Sequence, residues 1–186
     1  MDEELKKNIL KTGTSLVGIV CKDGIVMEGD RKTTAGGQIV MNKVKQKVAK
    51  INDYLVVSGT GVASDIELFK KIIRAELKLK ELRDKKRPTI KEAANFIALY
   101  SYKNIRQPAM IPFTAGLMIA GINDDRTTEL YSVEPAGTPS QIKDYDANFS
   151  SGMPYILGLL ERQYKKDMTT EEGQKLAVEA IKASSE

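Results

Sequence analysis

The chain contains no histidine, a single cysteine and no long apolar run, and each absence removes a class of protein. Without imidazole neither a Ser-His-Asp nor a Cys-His arrangement can be built, so any hydrolase here must activate its nucleophile with a lysine, a carboxylate or a free α-amine. Cys21 stands alone, which excludes an internal disulfide and a cysteine metal cluster and is compatible with a reducing, cytoplasmic setting. No stretch approaches the ~18 consecutive apolar residues of a membrane span. Residues 1–11 alternate acidic and basic side chains where a secretory signal would be continuously apolar. Neither GxxxxGKS/T nor GxGxxG occurs, and without histidine there is no histidine-bearing metal motif, so nucleotide and metal binding lack support.

What is present is ordinary for a globular chain: 186 residues, 41% hydrophobic and 29% charged. That length suits one domain able to bury about 70% of its unfolded surface. The formal charge of +4 is spread through interleaved acids and bases. The densest basic stretch, residues 78–87, is broken by Glu81 and Asp84, carries Leu79 and Leu82, and has no interleaved aromatics. It reads as a solvated helical end, and no nucleic-acid partner is expected.

Residues 14–21 and 25–30 are β-type runs joined through Lys22-Asp23-Gly24, a strong hairpin signal. With Asp23-Gly24 as a two-residue turn, Lys22 would face Ile25, Val17 would face Asp30, and Thr14 would face Thr33. Further strands are expected over 38–41, 44–51 and 55–58, the last ending at Gly59-Thr60-Gly61. Ile66, Phe69, Ile73 and Leu77 follow helical spacing, as do Ile90, Ala93, Ala94, Ile97 and Ala98, with Pro88 near the boundary between the two helices. Strands return over 114–122 and 129–133. Helical periodicity resumes over 151–164, and Thr169 with Glu172 forms a capping box for a last helix reaching about Ser184. Strands segregated from helices predict an α+β layered fold.

Taken singly, the polar residues of this plan have plain structural readings. Thr14 is a β-former, Asp30 closes a hairpin, Lys47 is a solvated lysine, Ser151 caps a helix, Gly61 makes a turn, and Cys21 is a small buried hydrophobe. In combination they acquire another meaning. Gly13-Thr14-Ser15-Leu16-Val17-Gly18-Ile19, followed by Asp30-Arg31-Lys32-Thr33-Thr34-Ala35-Gly36, resembles the opening of a proteasome β-subunit of the archaeal type. The resemblance continues through Lys45-Gln46-Lys47-Val48, Ser58-Gly59-Thr60-Gly61 and Ser150-Ser151-Gly152-Met153-Pro154-Tyr155, and runs from Gly13 to the last residue.

The resemblance implies an N-terminal nucleophile hydrolase fold, a four-layer αββα sandwich of two antiparallel sheets between helical layers. Residues 1–13 would be a propeptide removed autocatalytically between Gly13 and Thr14, and residues 14–186 the peptidase domain. Thr14 would then carry a hydroxyl nucleophile and an α-amine, which titrates near a pKa of about 8 and accepts protons at neutral pH. Lys47 would be the cation beside Thr14, held by Asp30. One extra residue separates these two relative to the family pattern, and Lys47 is preferred over Lys45 because Val48 and Ile51 then continue the following strand. Ser151 would bond near the threonine amine, and the Gly61 N–H would serve an oxyanion hole.

Thr33, Thr34 and Gly59 would line the substrate pocket, with Gly59 leaving room for large side chains. Measured against the family pattern, the chain stops at Glu186 short of one further carboxylate, and the closing strands are missing, so residues 14–186 read as a C-terminally truncated peptidase domain. No cofactor or metal is implied. The implied partners are other β-subunits in a seven-membered ring, α-subunit rings, a regulatory ATPase and unfolded protein substrates, with no membrane. A noncatalytic or truncated β-type subunit of the same particle, and a different N-terminal nucleophile amidase, are the alternatives.

Overall fold

The computed structural model describes residues 13–35, 39–110 and 113–184. The first hairpin pairs β1 (Leu16–Cys21) with β2 (Gly24–Gly29), and β10 (Tyr145–Asp146) joins the other edge of β1. Two short strands, β3 (Thr33–Ala35) and β4 (Ile39–Asn42), pair with each other. A second, larger antiparallel sheet runs in the order β5 (Ala49–Lys50), β6 (Leu55–Gly61), β7 (Ala115–Ile122), β8 (Thr128–Val133) and β9 (Pro139–Ile142).

Four helices complete the described fold: α1 (Ala63–Asp84), α2 (Ile90–Ile105), α3 (Met153–Gln163) and α4 (Thr170–Ala183). Their apolar faces explain where they sit. Phe69, Ile73 and Leu77 of α1 and Ile90, Ala94 and Ile97 of α2 are buried with Val57, Leu117, Ile119 and Val133 of the large sheet. Ile156 and Leu160 of α3 and Leu176, Ala177 and Ala180 of α4 are buried with Val17 and Ile19 of β1. Between the sheets, Met118, Ala120 and Leu130 meet Val20, Ile25 and Met27. Three apolar interfaces separate four layers, helices outside and sheets inside, which is the αββα order the resemblance implies and an α+β layered fold as the strand and helix pattern predicts. Each fully buried Leu or Ile in them contributes on the order of 2 kcal/mol.

Two expectations are corrected. The hairpin pairs Cys21 with Gly24, Val20 with Ile25 and Leu16 with Gly29, so Lys22 and Asp23 are the turn and Gly24 already belongs to β2. The shift is two residues, so every side chain keeps its face. Its consequence is that Asp30 stands beside Ser15 and not Val17, with the Asp30 N–H donating to the Ser15 carbonyl at 3.0 Å. Asp23 then reaches across to α4, accepting from the Thr170 N–H at 2.7 Å and its hydroxyl at 3.1 Å.

The second correction concerns the strand expected over 44–51, of which only Ala49–Lys50 is strand. The backbone before it is held by other bonds: Lys45 N–H donates to the Arg31 carbonyl at 3.1 Å, and the buried Ser58 hydroxyl donates to the Lys47 carbonyl at 3.1 Å. Strand 38–41 is found as Ile39–Asn42, with Gln38 outside the described residues. The capping box of Thr169 and Glu172 forms as expected, and a second, of Thr89 and Glu92, opens α2.

Candidate active site

Strand β1 delivers Thr14 and Ser15 at its start and β2 delivers Asp30 at its end, so the hairpin brings residues sixteen apart in sequence to one place. The Asp30 carboxylate is fixed by three donors. Oδ1 accepts from the Ser15 N–H at 2.8 Å and from Lys47 Nζ at 2.7 Å, and Oδ2 accepts from the Lys32 N–H at 3.0 Å. The Lys47 side chain is 9% exposed and that of Asp30 17%, so the pair is largely withdrawn from water.

Lys47 Nζ also donates to Thr14 Oγ1 at 3.2 Å and to the Gly13 carbonyl at 3.1 Å. An ammonium has three protons and no acceptor, and here all three have partners. Burial pushes the Lys47 pKa below its ordinary value. The hydrogen bond and charge of Asp30 oppose that shift, and the Lys45 charge adds to it. A lysine with a depressed pKa and a hydroxyl in reach is a chemical arrangement, since it places a positive charge where an alkoxide would develop.

On the other side of Thr14, its N–H donates to Ser151 Oγ at 2.9 Å, and the Ser151 hydroxyl donates back to the Thr14 carbonyl at 2.8 Å. Thr14 is joined to Gly13, so this nitrogen is a peptide N–H. Ser151 makes no helix cap; the N-cap of α3 is Gly152, without a side-chain bond. The plain reading of Ser151 is thereby corrected: its hydroxyl is spent on Thr14.

Gly61 ends β6 with φ +117°, and a Cβ there would lie 2.1 Å from the Thr114 carbonyl oxygen. Only glycine tolerates both the conformation and the contact. Gly61 lines the same cleft as Thr14, Lys47, Thr33 and Gly59. The space beside Gly59 is occupied, because a Cβ there would meet Leu117 Cδ2 at 2.9 Å and Ile66 Cγ2 at 3.0 Å. The missing side chain lets Ile66 of α1 pack against β6 instead of leaving a void. Thr34 stands on β3 opposite Val40, and its side chain lies outside the described residues, as do residues 1–12 of the expected propeptide.

Sequence reasoning missed Ser58, which anchors the Lys47 backbone, and Ser184, whose hydroxyl donates to Ser15 Oγ at 2.8 Å from the end of α4. Ser58 stands in the Ser58-Gly59-Thr60-Gly61 motif, but its bond to Lys47 is set by the fold, and Ser184 lies in no pattern that sequence spacing marks. It also missed Glu67 and Lys70, which lie on α1 and line the cleft. Cys21 is buried, and burial raises its thiol pKa, followed by the charges of Asp23 and Glu172. Such a thiol is a packing group rather than a nucleophile.

The architecture, two antiparallel sheets between helical layers with the first strand opening on this cluster, is the N-terminal nucleophile hydrolase fold. Residues 10–186 match the Proteasome family, described as proteasome subunit, and the chain belongs to that family. Its relatives include a proteasome subunit beta of Nanoarchaeum equitans, 37% identical over 171 residues, covering 92% of this chain and 84% of the relative. A proteasome subunit beta of Methanobrevibacter smithii is 37% identical over 174 residues, covering 94% and 80%. Proteasome subunit beta 1 of Hyperthermus butylicus is 34% identical over 177 residues, covering 94% and 82%. Among the described residues no helix is long and apolar enough to cross a membrane.

Proposed function

We propose that the chain is a threonine endopeptidase subunit of a proteasome core particle, activated by cleavage between Gly13 and Thr14. One arrangement carries this reading: Lys47 Nζ donates at once to Thr14 Oγ1, to Asp30 Oδ1 and to the Gly13 carbonyl. A structural lysine needs only its carboxylate. This one also touches the hydroxyl that would attack and the oxygen of the bond that would break.

In the first reaction Thr14 Oγ1 attacks the Gly13 carbonyl carbon, and Lys47 stabilises the negative charge that develops on the Gly13 oxygen. The C–N bond breaks, the hydroxyl proton passes to the departing Thr14 nitrogen, and Gly13 becomes an ester on Oγ1. Water hydrolyses that ester, restoring the hydroxyl and leaving a Gly13 carboxylate and a free α-amine on Thr14.

In the second reaction that amine, beside Ser151, takes the hydroxyl proton while Oγ1 attacks a substrate peptide carbonyl, and then gives the proton to the leaving amine. The Gly61 N–H would stabilise the substrate oxyanion. The amine next deprotonates water, which releases the acyl group and regenerates Thr14. No metal or organic cofactor enters these steps.

The family relationship supports the wider setting: β-subunits in a seven-membered ring, flanked by α-subunit rings, working in the cytoplasm on unfolded proteins fed in by an ATPase. N-terminal sequencing of the chain from assembled particles tests the reading. A chain beginning at Thr14, with peptide cleavage abolished in Thr14→Ala, is expected. A chain retaining Gly13 in assembled particles that cleave no peptide would make it a noncatalytic ring member. Peptidase-free amidase activity in a monomer or small oligomer would assign it to another N-terminal nucleophile enzyme.

A further inference from the structure

The cleft beside Thr14 contains more positive charge than its own carboxylates neutralise. Lys47 is committed to Asp30 at 2.7 Å. Two other lysines line the same cleft, Lys45 from the irregular segment before β5 and Lys70 from α1, together with one carboxylate, Glu67. Both lysines converge on a single oxygen of that carboxylate, each Nζ lying 3.4 Å from Glu67 Oε1. Burial would raise the Glu67 pKa, yet the charges of Lys70 and Lys45 and their hydrogen bonds bring it below the ordinary carboxylate value. The cluster therefore sets two lysine side chains against one carboxylate.

The imbalance matters because of where the lysines sit. The side chain of Lys70 is 8% exposed and that of Lys45 32%. An ammonium withdrawn from water and left with half a partner is poorly compensated, and a second carboxylate would complete it. A donor of another kind stands in the same cleft: Thr33 Oγ1 is buried and has no hydrogen-bond partner among the described residues. Around these polar groups the lining is apolar, from Ala63 and Ile66, which suits a short methylene stem.

Resting on the peptidase reading, we propose that this cleft selects an acidic side chain, glutamate above all, in the residue before the cleaved bond. Lys70 and Lys45 are its specificity determinants and Thr33 an additional donor. A glutamate stem lies along Ile66 while its carboxylate takes the free valence of the two lysines. An arginine there meets like charge, and a leucine leaves the lysines as they were. The occupied space beside Gly59 favours a side chain of this length over a large aromatic one.

Four fluorogenic peptides identical except for Glu, Gln, Leu or Arg before the bond test this on the particle assembled from the full-length protein. Glutamine is the isosteric control, because it differs from glutamate by the charge. The Glu peptide is expected to exceed the Gln peptide roughly tenfold to a hundredfold in kcat/KM, the range of one or two charge-assisted hydrogen bonds. The ratio should fall toward one in Lys70→Met and drop several-fold in Lys45→Met. If Lys70→Met does not assemble, Lys45→Met and the salt dependence of the wild-type ratio decide, since the ratio must shrink as salt rises. Equal cleavage of Glu and Gln peptides, or a ratio indifferent to both lysines and to salt, overturns this inference and leaves the peptidase reading intact. A particle that cleaves none of the four and keeps Gly13 overturns both.

Discussion

The hydroxyl of Ser184 lies 2.8 Å from that of Ser15, so the C-cap of α4 touches the residue immediately after Thr14. Ser184 Oγ is also 2.8 Å from the Ile181 carbonyl, which fixes the hydroxyl between the last turn of the helix and the start of β1. Helix α4 thereby clamps the end of the strand that carries the candidate nucleophile.

Removing that clamp in Ser184→Ala should cost about 1 kcal/mol, the usual net value of one partly buried hydrogen bond, read by urea denaturation. Because the loss falls beside Thr14, peptide cleavage should slow several-fold through kcat with KM little changed. A stability loss with unchanged kcat would show that the contact serves the fold alone.

Lys47→Met removes the cation from both the Thr14 hydroxyl and the Gly13 carbonyl. By comparison with the loss of one preorganised oxyanion donor, processing should slow by about 10²–10³-fold or more, and intact mass would show the chain still carrying Gly13. The reciprocal change, Asp30→Ala, leaves the ammonium largely buried without its counter-charge and should cost on the order of 3 kcal/mol. Denaturant midpoints measured for both variants would separate the effects, because Lys47→Met removes the buried charge while Asp30→Ala strands it.

The parts of this structure legible in the sequence are those set by local rules. Apolar periodicity marked α1 and α2, the Thr169 and Glu172 spacing marked the start of α4, and a turn signal at Asp23-Gly24 marked the first hairpin. The two-residue register shift was not legible, because either turn keeps every side chain on its own face and the choice is made by Asp23 bonding to Thr170, far away in the chain. Strands β9 and β10 were missed for a similar reason. They are short, and residues 139–142 show no buried alternation, so pairing with β8 and β1 creates them. Within the site, Thr14, Asp30, Lys47 and Ser151 were named by resemblance and are brought into contact by the fold. Glu67 and Lys70 were not named, because on a helix such as α1 an i, i+3 charge pair reads as solvated surface until the sheet beneath it is known.

Gly61→Ala should be among the most damaging single-methyl changes in the chain. Alanine at φ +117° is strained by about 1–3 kcal/mol, and its Cβ would sit 2.1 Å from the Thr114 oxygen. The backbone of β6 must therefore move away from the start of β7 at Gly61, which lines the cleft. A stability loss of at least about 2 kcal/mol by chemical denaturation is expected, together with loss of peptide cleavage. Thr60→Ser nearby supplies a control that keeps the hydroxyl and alters no backbone preference for positive φ.

The depressed pKa of Lys47 makes a prediction for alkaline pH whose sign is fixed. Burial disfavours the charged form, and this outweighs the opposing hydrogen bond and charge of Asp30, so the folded-state value lies below the 10.5 of a free lysine. Between those two values the unfolded chain holds more protons than the folded one, and stability rises with pH. Below the folded value the full penalty of burying the ammonium is present, and above 10.5 it has vanished. Tyr54 and Tyr131 act in the opposite sense near the same pH, since burial raises their pKa values above 10.0. The measurement therefore has to be a difference. In a Thr14→Ala background, where neither protein is processed, thermal unfolding of the chain with Lys47 and of the chain with Lys47→Met share the same tyrosines. As pH climbs toward 10.5 the difference should move in favour of the chain that keeps Lys47. A difference that stays flat, or moves the other way, would mean that Asp30 fully compensates the buried ammonium, and that Lys47 is an ordinary ion-pair lysine.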